Sequence, residues 1–364
     1  MGEYRPPRWC SREQNDLSWP RVDSDELQLR NRVKLRLLLA GVDKDVVEAV
    51  DDDTPVINLH REAFLWSDAP RMTVEEIAAE VGLDVEVCRR ARMLLGLPDP
   101  GDLAACRVEE VEAFRGLAAG VEAFGPDPVL HFTRVIGSAL ATVAEASLSV
   151  FGRSLADTKV EMCDDEFALI AFDALELFAV VPTVLASVAR LQFDLATTRM
   201  SVGMEPAQHG AIAFVDLAGS TEATVQLGAD VVSAALSRFE TRAVELAGAH
   251  GGRVVKFIGD EAMIHTATLE GAVEVAMGLV RHVHDDLVLR SARAGVASGE
   301  LIGRDGDWFG TTVNRAARLV ERARSGQVLL SGEGGDQIDG AIARGRLRLR
   351  DLPDRQEVWR VRVS

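Results

Sequence analysis

No two cysteines in this chain lie close together: Cys10, Cys88, Cys106 and Cys163 stand alone, without a CxxC pair. That spacing excludes a disulfide framework and a zinc-ligand pattern, and a reducing cytoplasm fits it best. A basic surplus is missing too. The 40 Lys and Arg against 57 Asp and Glu give a formal charge of -17, which repels phosphate backbones and anionic membrane surfaces over most of the molecule. Nucleic acid and membrane are therefore poor candidate partners. The opening residues MGEYRPPRWC have no apolar signal-peptide core. The most apolar segment, 167–188, carries Asp173, Glu176 and Pro182, and its longest uncharged stretch falls short of the roughly 20 apolar residues that cross a bilayer. It reads as a buried or dimer-forming helix. Internal repeats and low-complexity tracts are also absent.

What is present is a globular composition, 47% hydrophobic and 27% charged over 364 residues, enough for two domains with cores of their own. Residues 1–205 hold 21 basic and 36 acidic residues and the remainder 19 and 21, so the acidity belongs to the N-terminal part. A composition shift around residues 200–210, with Pro206 and two glycines, predicts a linker at 199–209 between domains at 1–198 and 210–364. Apolar positions recur at three- and four-residue spacing in 27–39, 74–81, 87–95, 129–151 and 167–200, which predicts an all-α N-terminal domain. The other half alternates. Strand patterns at 211–217, 253–258, 262–266, 292–298 and 327–331 enclose a helix capped by Ser220 or Thr221 and another at 269–283. Their order is βαββαβ, an α+β ferredoxin-like core with a C-terminal extension.

Four segments of the second half carry polar residues where chemistry is done. Asp216 ends an apolar strand before the turn Ala218-Gly219-Ser220-Thr221, where a carboxylate beside a helix N-terminus can hold a cation against a phosphate. Taken alone, such an Asp is more often a helix cap. Asp260 lies in the turn of Lys256-Phe257-Ile258-Gly259-Asp260-Glu261, which alone reads as an ordinary Gly-Asp hairpin. Asp307 precedes a helix on which Asn314 and Arg318, four residues apart, share a face. A solvated polar face is the bland reading there, against which stand Val313, Ala316, Ala317 and Leu319. The strand 327–331 follows.

In this order and spacing the four segments resemble the catalytic domain of class III nucleotidyl cyclases over most of 210–364. The resemblance implies that Asp216 and Asp260 bind two Mg²⁺ or Mn²⁺ ions per active site, with the Leu217 backbone carbonyl as a further ligand. It implies adenine recognition by Lys256 and Asp307, and transition-state stabilisation by Asn314 and Arg318. The implied reaction converts ATP to 3′,5′-cyclic AMP and pyrophosphate. Family sites are composite, so one chain with the full set implies a head-to-tail homodimer. The family's lysine for the terminal phosphates has no assigned counterpart among the arginines of 344–350.

The residue types suit that chemistry. Carboxylates suit Mg²⁺ or Mn²⁺, and a two-metal site can acidify the ribose 3′-hydroxyl and bridge the phosphates. A guanidinium can form bidentate, charge-assisted bonds to the α-phosphoryl oxygens as their charge grows, and an amide can orient the ribose. Lys256 can donate to an adenine ring nitrogen and Asp307 accept from its exocyclic amine, whereas guanine presents the opposite pattern. A guanylate cyclase and a catalytically silent nucleotide sensor are the alternatives; the second usually loses a metal carboxylate or the arginine.

Residues 73–97 read like a helix-turn-helix, with Thr73 as cap, Ile77, Ala78 and Val81 inward, and Gly82 at the turn. DNA contact would run through Arg89, Arg90 and Arg92, but the acidity of this half favours a structural trihelical module. The all-helical half joined to a cyclase-like half resembles the autoinhibited, soluble, pH-responsive adenylyl cyclases of actinobacterial type, whose N-terminal domain dimerises and restrains catalysis. His60, His131, His209, His250, His265, His282 and His284 are the natural candidates for proton sensing, and a charge on His209, in the linker, could bias how the halves dock, although each taken alone reads as a plain surface or core histidine. The long apolar helix from 167 to 190 reads as a dimer core and leaves room for a lipid regulator.

Overall fold

In the computed structural model the described residues are 24–66, 69–159, 162–178, 180–201, 207–219 and 225–363. Contacts divide the chain into two units, Met1–Leu191 and Gln192–Ser364, each considered by itself below. Cys10, the opening residues and the expected cap at Ser220 or Thr221 lie outside the described residues.

The apolar spacing of the first unit becomes helix: α1 (Ser24–Leu39), α2 (Lys44–Glu48), α3 (Val56–Leu65), α4 (Val74–Val81), α5 (Val85–Leu94), α6 (Glu110–Phe124), α7 (Pro126–Lys159) and α8 (Asp164–Phe178). Outside helices, the extended pairing among its described residues is one bridge between Met72 and Cys106. Two cores form. Val33, Leu37 and Val47 meet Ala168, Leu169 and Phe172, while Ile77, Ala78, Cys88 and Ala91 meet Phe114 and Leu130.

The helix-turn-helix segment is locally determined. Thr73 and Glu76 form a reciprocal capping box, Gly82 takes the left-handed φ of 72° that ends α4, and the Asp84 carboxylate accepts from the Glu86 and Val87 N–H groups. Arg89 is engaged by Glu75 and Asp99. Arg92, only 7% exposed, pairs with Glu110 and donates to the Pro98 carbonyl. Guanidinium groups held in this way support the protein rather than face a phosphate.

The apolar stretch from 167 to 190 is not one helix. The next helix, α9 (Val181–Ser201), begins anew with Pro182 in its first turn, where a missing N–H costs nothing. The α8 part is buried through Ala168, Leu169, Ala171 and Phe172, whereas Leu177, Val184, Val188 and Leu191 are exposed. By length and composition alone Asp164–Thr198 would suffice to cross a membrane, with a mean hydropathy of 2.0 over its best window.

The second unit is built on one mixed sheet. Its strands are β1 (Ala207–Ala218), β2 (Gly252–Ile258), β3 (Glu261–Thr266), β4 (Ser291–Arg304), β5 (Asp307–Phe309), β6 (Gln327–Ser331), β7 (Ile342–Arg348) and β8 (Arg355–Arg362). The spatial order is β2-β3-β1-β4-β6-β8-β7, with β5 beside β4. The first four strands give the antiparallel ferredoxin-like core, and β6 joins β4 in parallel. Helix α9 runs to Ser201 and β1 starts at Ala207, inside the span expected as linker, because residues 207–210 pair with 299–302 of a longer β4.

Alternation along the strands sorts the two faces. Ala211, Ala213, Val215 and Leu217 of β1 pack with α10 (Ala229–Ala249) and α11 (Leu269–His284), through Phe239, Ala243, Ala276 and Leu279. Ile212 and Phe214 face the other way, toward α12 (Thr311–Arg322) through Ala316, Leu319 and Val320. Helix α12 rests on bare backbone: a Cβ on Gly295 of β4 would lie 2.2 Å from the Val320 nitrogen and 2.3 Å from the Ala316 carbonyl oxygen. Gly295→Ala is therefore expected to destabilise the second unit by about 1–3 kcal/mol through overpacking. Thermal unfolding of the full chain followed by circular dichroism checks it, and an unchanged transition would show that α12 can lift off without cost.

Candidate active site

Asp216 follows Phe214 by two residues, so its side chain shares the face that α10 and α11 leave uncovered. Its cross-strand neighbours are Glu261 on β3 and Arg293 on β4, which sets an acid, an acid and a base in a row across three strands. The Arg293 guanidinium donates to Asp216 Oδ2 through Nε at 2.8 Å and approaches it through Nη2 at 2.7 Å. Asp260 joins them because the β2–β3 hairpin turns at Gly259, whose φ is 63°. The Leu217 N–H reaches the Asp260 carbonyl oxygen at 3.4 Å, tying the end of β1 to that turn. Burial, with the Asp216 and Asp260 charges, pushes the Glu261 carboxyl up to about 7, against the opposing pull of Arg293. The Asp216, Asp260 and Glu261 carboxylates thus stand near one another, with Arg293 beside Asp216. Among the described residues, no three His, Cys, Asp or Glu side chains are arranged to hold a metal ion by themselves.

A second cluster joins distant parts of the chain. Lys256 on β2 forms an ion pair with Asp307 Oδ2 at the start of β5, while Asp307 Oδ1 accepts from the Trp308 N–H at 2.8 Å. A cationic donor and an anionic acceptor thus stand side by side, 51 residues apart in sequence.

Helix α12 starts after Gly310 and carries Asn314, which is exposed, and Arg318 one turn on. Arg318 is held by Glu321 of its own helix and by Asp351 Oδ2 at 3.2 Å, and its Nε is buried without a hydrogen bond. Glu321 and Asp351 also engage Arg350, at 3.6 and 3.4 Å. Arg322, Arg348 and Arg350 line an open groove of about 670 Å³ there. The sequence reading named the two carboxylates, the Lys256–Asp307 pair and the α12 pair, but passed over Arg293 and Glu261. A charged residue inside the apolar run Ala292-Arg293-Ala294-Gly295-Val296 was the available signal for the first.

In the first unit His60 is fully buried between Phe172 and Phe64, with ring centroids at 4.1 and 5.6 Å. Its Nε2 lies 3.3 Å from Glu176 Oε1 without hydrogen-bond geometry. Desolvation lowers its proton affinity below the ordinary histidine value, opposed by Glu176 and Asp173 and assisted by Arg36. His209, by contrast, sits exposed on β1 opposite Glu300.

The family model described as the adenylate and guanylate cyclase catalytic domain matches residues 202–341. An uncharacterized protein of Mycobacterium tuberculosis is 33% identical over 81% of this chain and 80% of its own. The chain belongs to the class III adenylyl cyclase family. Other relatives of the cyclase include an adenylate cyclase of Streptomyces coelicolor, 28% identical over 84% of this chain and 80% of that one. A protein of Mycobacterium tuberculosis named as a pH-sensitive adenylate cyclase is 28% identical over 81% of this chain and 76% of that one. These matches extend beyond the catalytic half.

Proposed function

We propose that the cyclase converts ATP to 3′,5′-cyclic AMP and pyrophosphate in the cytoplasm, at composite sites between two head-to-tail copies. The pairing of Lys256 with Asp307 carries the substrate assignment. Adenine offers a ring-nitrogen acceptor and an exocyclic amine donor, which that donor and acceptor complement; guanine reverses the pattern on its equivalent edge.

Asp216 and Asp260, with the Leu217 carbonyl, would hold the Mg²⁺ or Mn²⁺ ions, two per site. The gathering of Asp216, Asp260 and Glu261 at the ends of β1 and the β2–β3 turn supports the fit, because carboxylate oxygen donors suit hard divalent cations. Bound there, the ions acidify the attacking 3′-hydroxyl and neutralise phosphate charge. Asn314 orients the ribose. Arg318 meets the growing charge on the α-phosphoryl oxygens with a forked pair of donors. Arg293 supplies positive charge at the carboxylate row. Arg350, which shares Glu321 and Asp351 with Arg318, is the best placed of the C-terminal arginines for the terminal phosphates.

The helical unit acts as a brake released by acid. His60 supports this reading, since it faces Glu176 and Asp173 of α8 and Arg36 of α1 at the junction of α1, α3 and α8. Between its depressed folded value and the ordinary 6.5, the unfolded chain holds the extra proton, so falling pH weakens this packing.

Four outcomes test the proposal. Full-length protein with Mn-ATP is expected to release cyclic AMP. Asp216→Ala and Asp260→Ala should each cut the rate roughly a thousandfold, equivalent to several kcal/mol of lost charge stabilisation. Wild-type turnover in both would contradict the metal assignment. Lys256→Glu combined with Asp307→Cys should move the ATP-to-GTP ratio of kcat/KM toward GTP by roughly tenfold or more. Finally, assays at pH 5.5, 7 and 8 should show the full chain activated by acid and His60→Phe losing that response. A fragment starting at Gly203 should be active throughout, and a flat profile for the full chain would remove the pH brake.

A further inference from the structure

The β4–β5 hairpin that carries Asp307 is too small to hold itself in place. It comprises three residue pairs, Ile302 with Phe309, Gly303 with Trp308 and Arg304 with Asp307. Its two-residue turn, Asp305-Gly306, has both φ values positive, 56° and 78°, the geometry that matches strand twist and fixes the register. A two-stranded ribbon of this length is marginal in water, so its position depends on what it touches.

Side chains of two other strands touch it. Arg253 of β2 donates through Nη2 to the Gly306 carbonyl at 2.6 Å, fastening the turn. His265 of β3, the cross-strand neighbour of Arg253, stacks on the Trp308 ring with centroids 4.5 Å apart and planes at 22°. On β4, Gly303 is bare enough for that ring to lie over it: a Cβ there would stand 3.1 Å from Trp308 Cζ3. The Trp308 indole nitrogen is buried without a hydrogen bond, so ring packing rather than polar bonding keeps this side chain in place. The Trp308 backbone N–H is the donor that fixes Asp307 Oδ1, leaving Oδ2 toward Lys256.

We propose that His265 and Trp308 are positioning residues for base recognition. Their stack, with Arg253 at the turn, clamps the hairpin so that the Asp307 carboxylate faces the nucleotide base beside Lys256. The inference rests on the reading of Lys256 and Asp307 as the base-recognition pair. It adds a specificity determinant that lies outside the six motif residues and touches no substrate. A clamp of this kind acts on how well the base is held and discriminated, whereas a merely structural stack would change the amount of folded enzyme and leave the constants of the folded fraction intact.

The test is steady-state kinetics of the full-length protein with Mn-ATP and Mn-GTP. His265→Ala should raise KM for ATP roughly three- to tenfold, the size of one lost aromatic stack, with a smaller change in kcat. The ATP-over-GTP ratio of kcat/KM should fall with it. His265→Phe keeps a ring on Trp308 and should restore both values. Arg253→Ala loosens the same hairpin from its other end and should shift KM and the ratio in the same direction, which keeps the test open if His265→Ala fails to fold. An unchanged KM and ratio in a folded variant, or a fall in kcat alone, would overturn the clamp. No cyclic AMP from the wild-type protein would instead overturn the cyclase reading itself, so the two failures are distinguishable.

Discussion

The register of β1 between β3 and β4 sets everything else in the catalytic unit. Alternate residues of that strand give Ala211, Ala213, Val215 and Leu217 to the helix-covered face, and Ile212, Phe214 and Asp216 to the other. A slip of one residue would drive Asp216 under α10 and α11 and turn Val215 outward, so hydrophobic burial enforces the placement of a charged group. The same register sets Glu261 and Arg293 on either side of Asp216. Core packing and site electrostatics are thus one constraint seen from two faces of a sheet.

Much of this was legible beforehand where the signal is local. The strand patterns of 211–217 and 327–331, the α4–α5 turn at Gly82 and the Asn314–Arg318 spacing all depend on neighbours in sequence, and each reappears in the structure. Extents set by distant pairing were not legible. Strand β4 continues to Arg304 because it pairs with the start of β1 and with β5, neither of which its own apolar pattern announces. The apolar stretch after Phe167 shows the same dependence: periodicity reports an apolar face, but not what covers it. Among the described residues the α8 portion is covered by α1 and α3.

The site shows the same division. The six motif residues could be read from their order, and the structure sets Lys256 and Asp307 side by side as an ion pair. Arg293 and Glu261 gain meaning only from cross-strand adjacency, and His60 only from its enclosure by Phe64 and Phe172. The helix-turn-helix pattern illustrates the converse, since a motif can be formed in full while its arginines are spent on Glu75, Asp99 and Glu110.

The seat of α12 on Gly295 limits how such an enzyme can be governed. At Gly295 the helix backbone rests directly on strand backbone, so no side chain lies at that point that could change rotamer and let the helix slide. Asn314 and Arg318 are therefore carried as a rigid part of their own sheet. If the sites are composite as proposed, the enzyme would be turned on or off by rotating one whole catalytic unit against its partner, so that two intact half-sites meet or part. Intermediate degrees of activity would then reflect how often the halves are aligned, with each half unchanged.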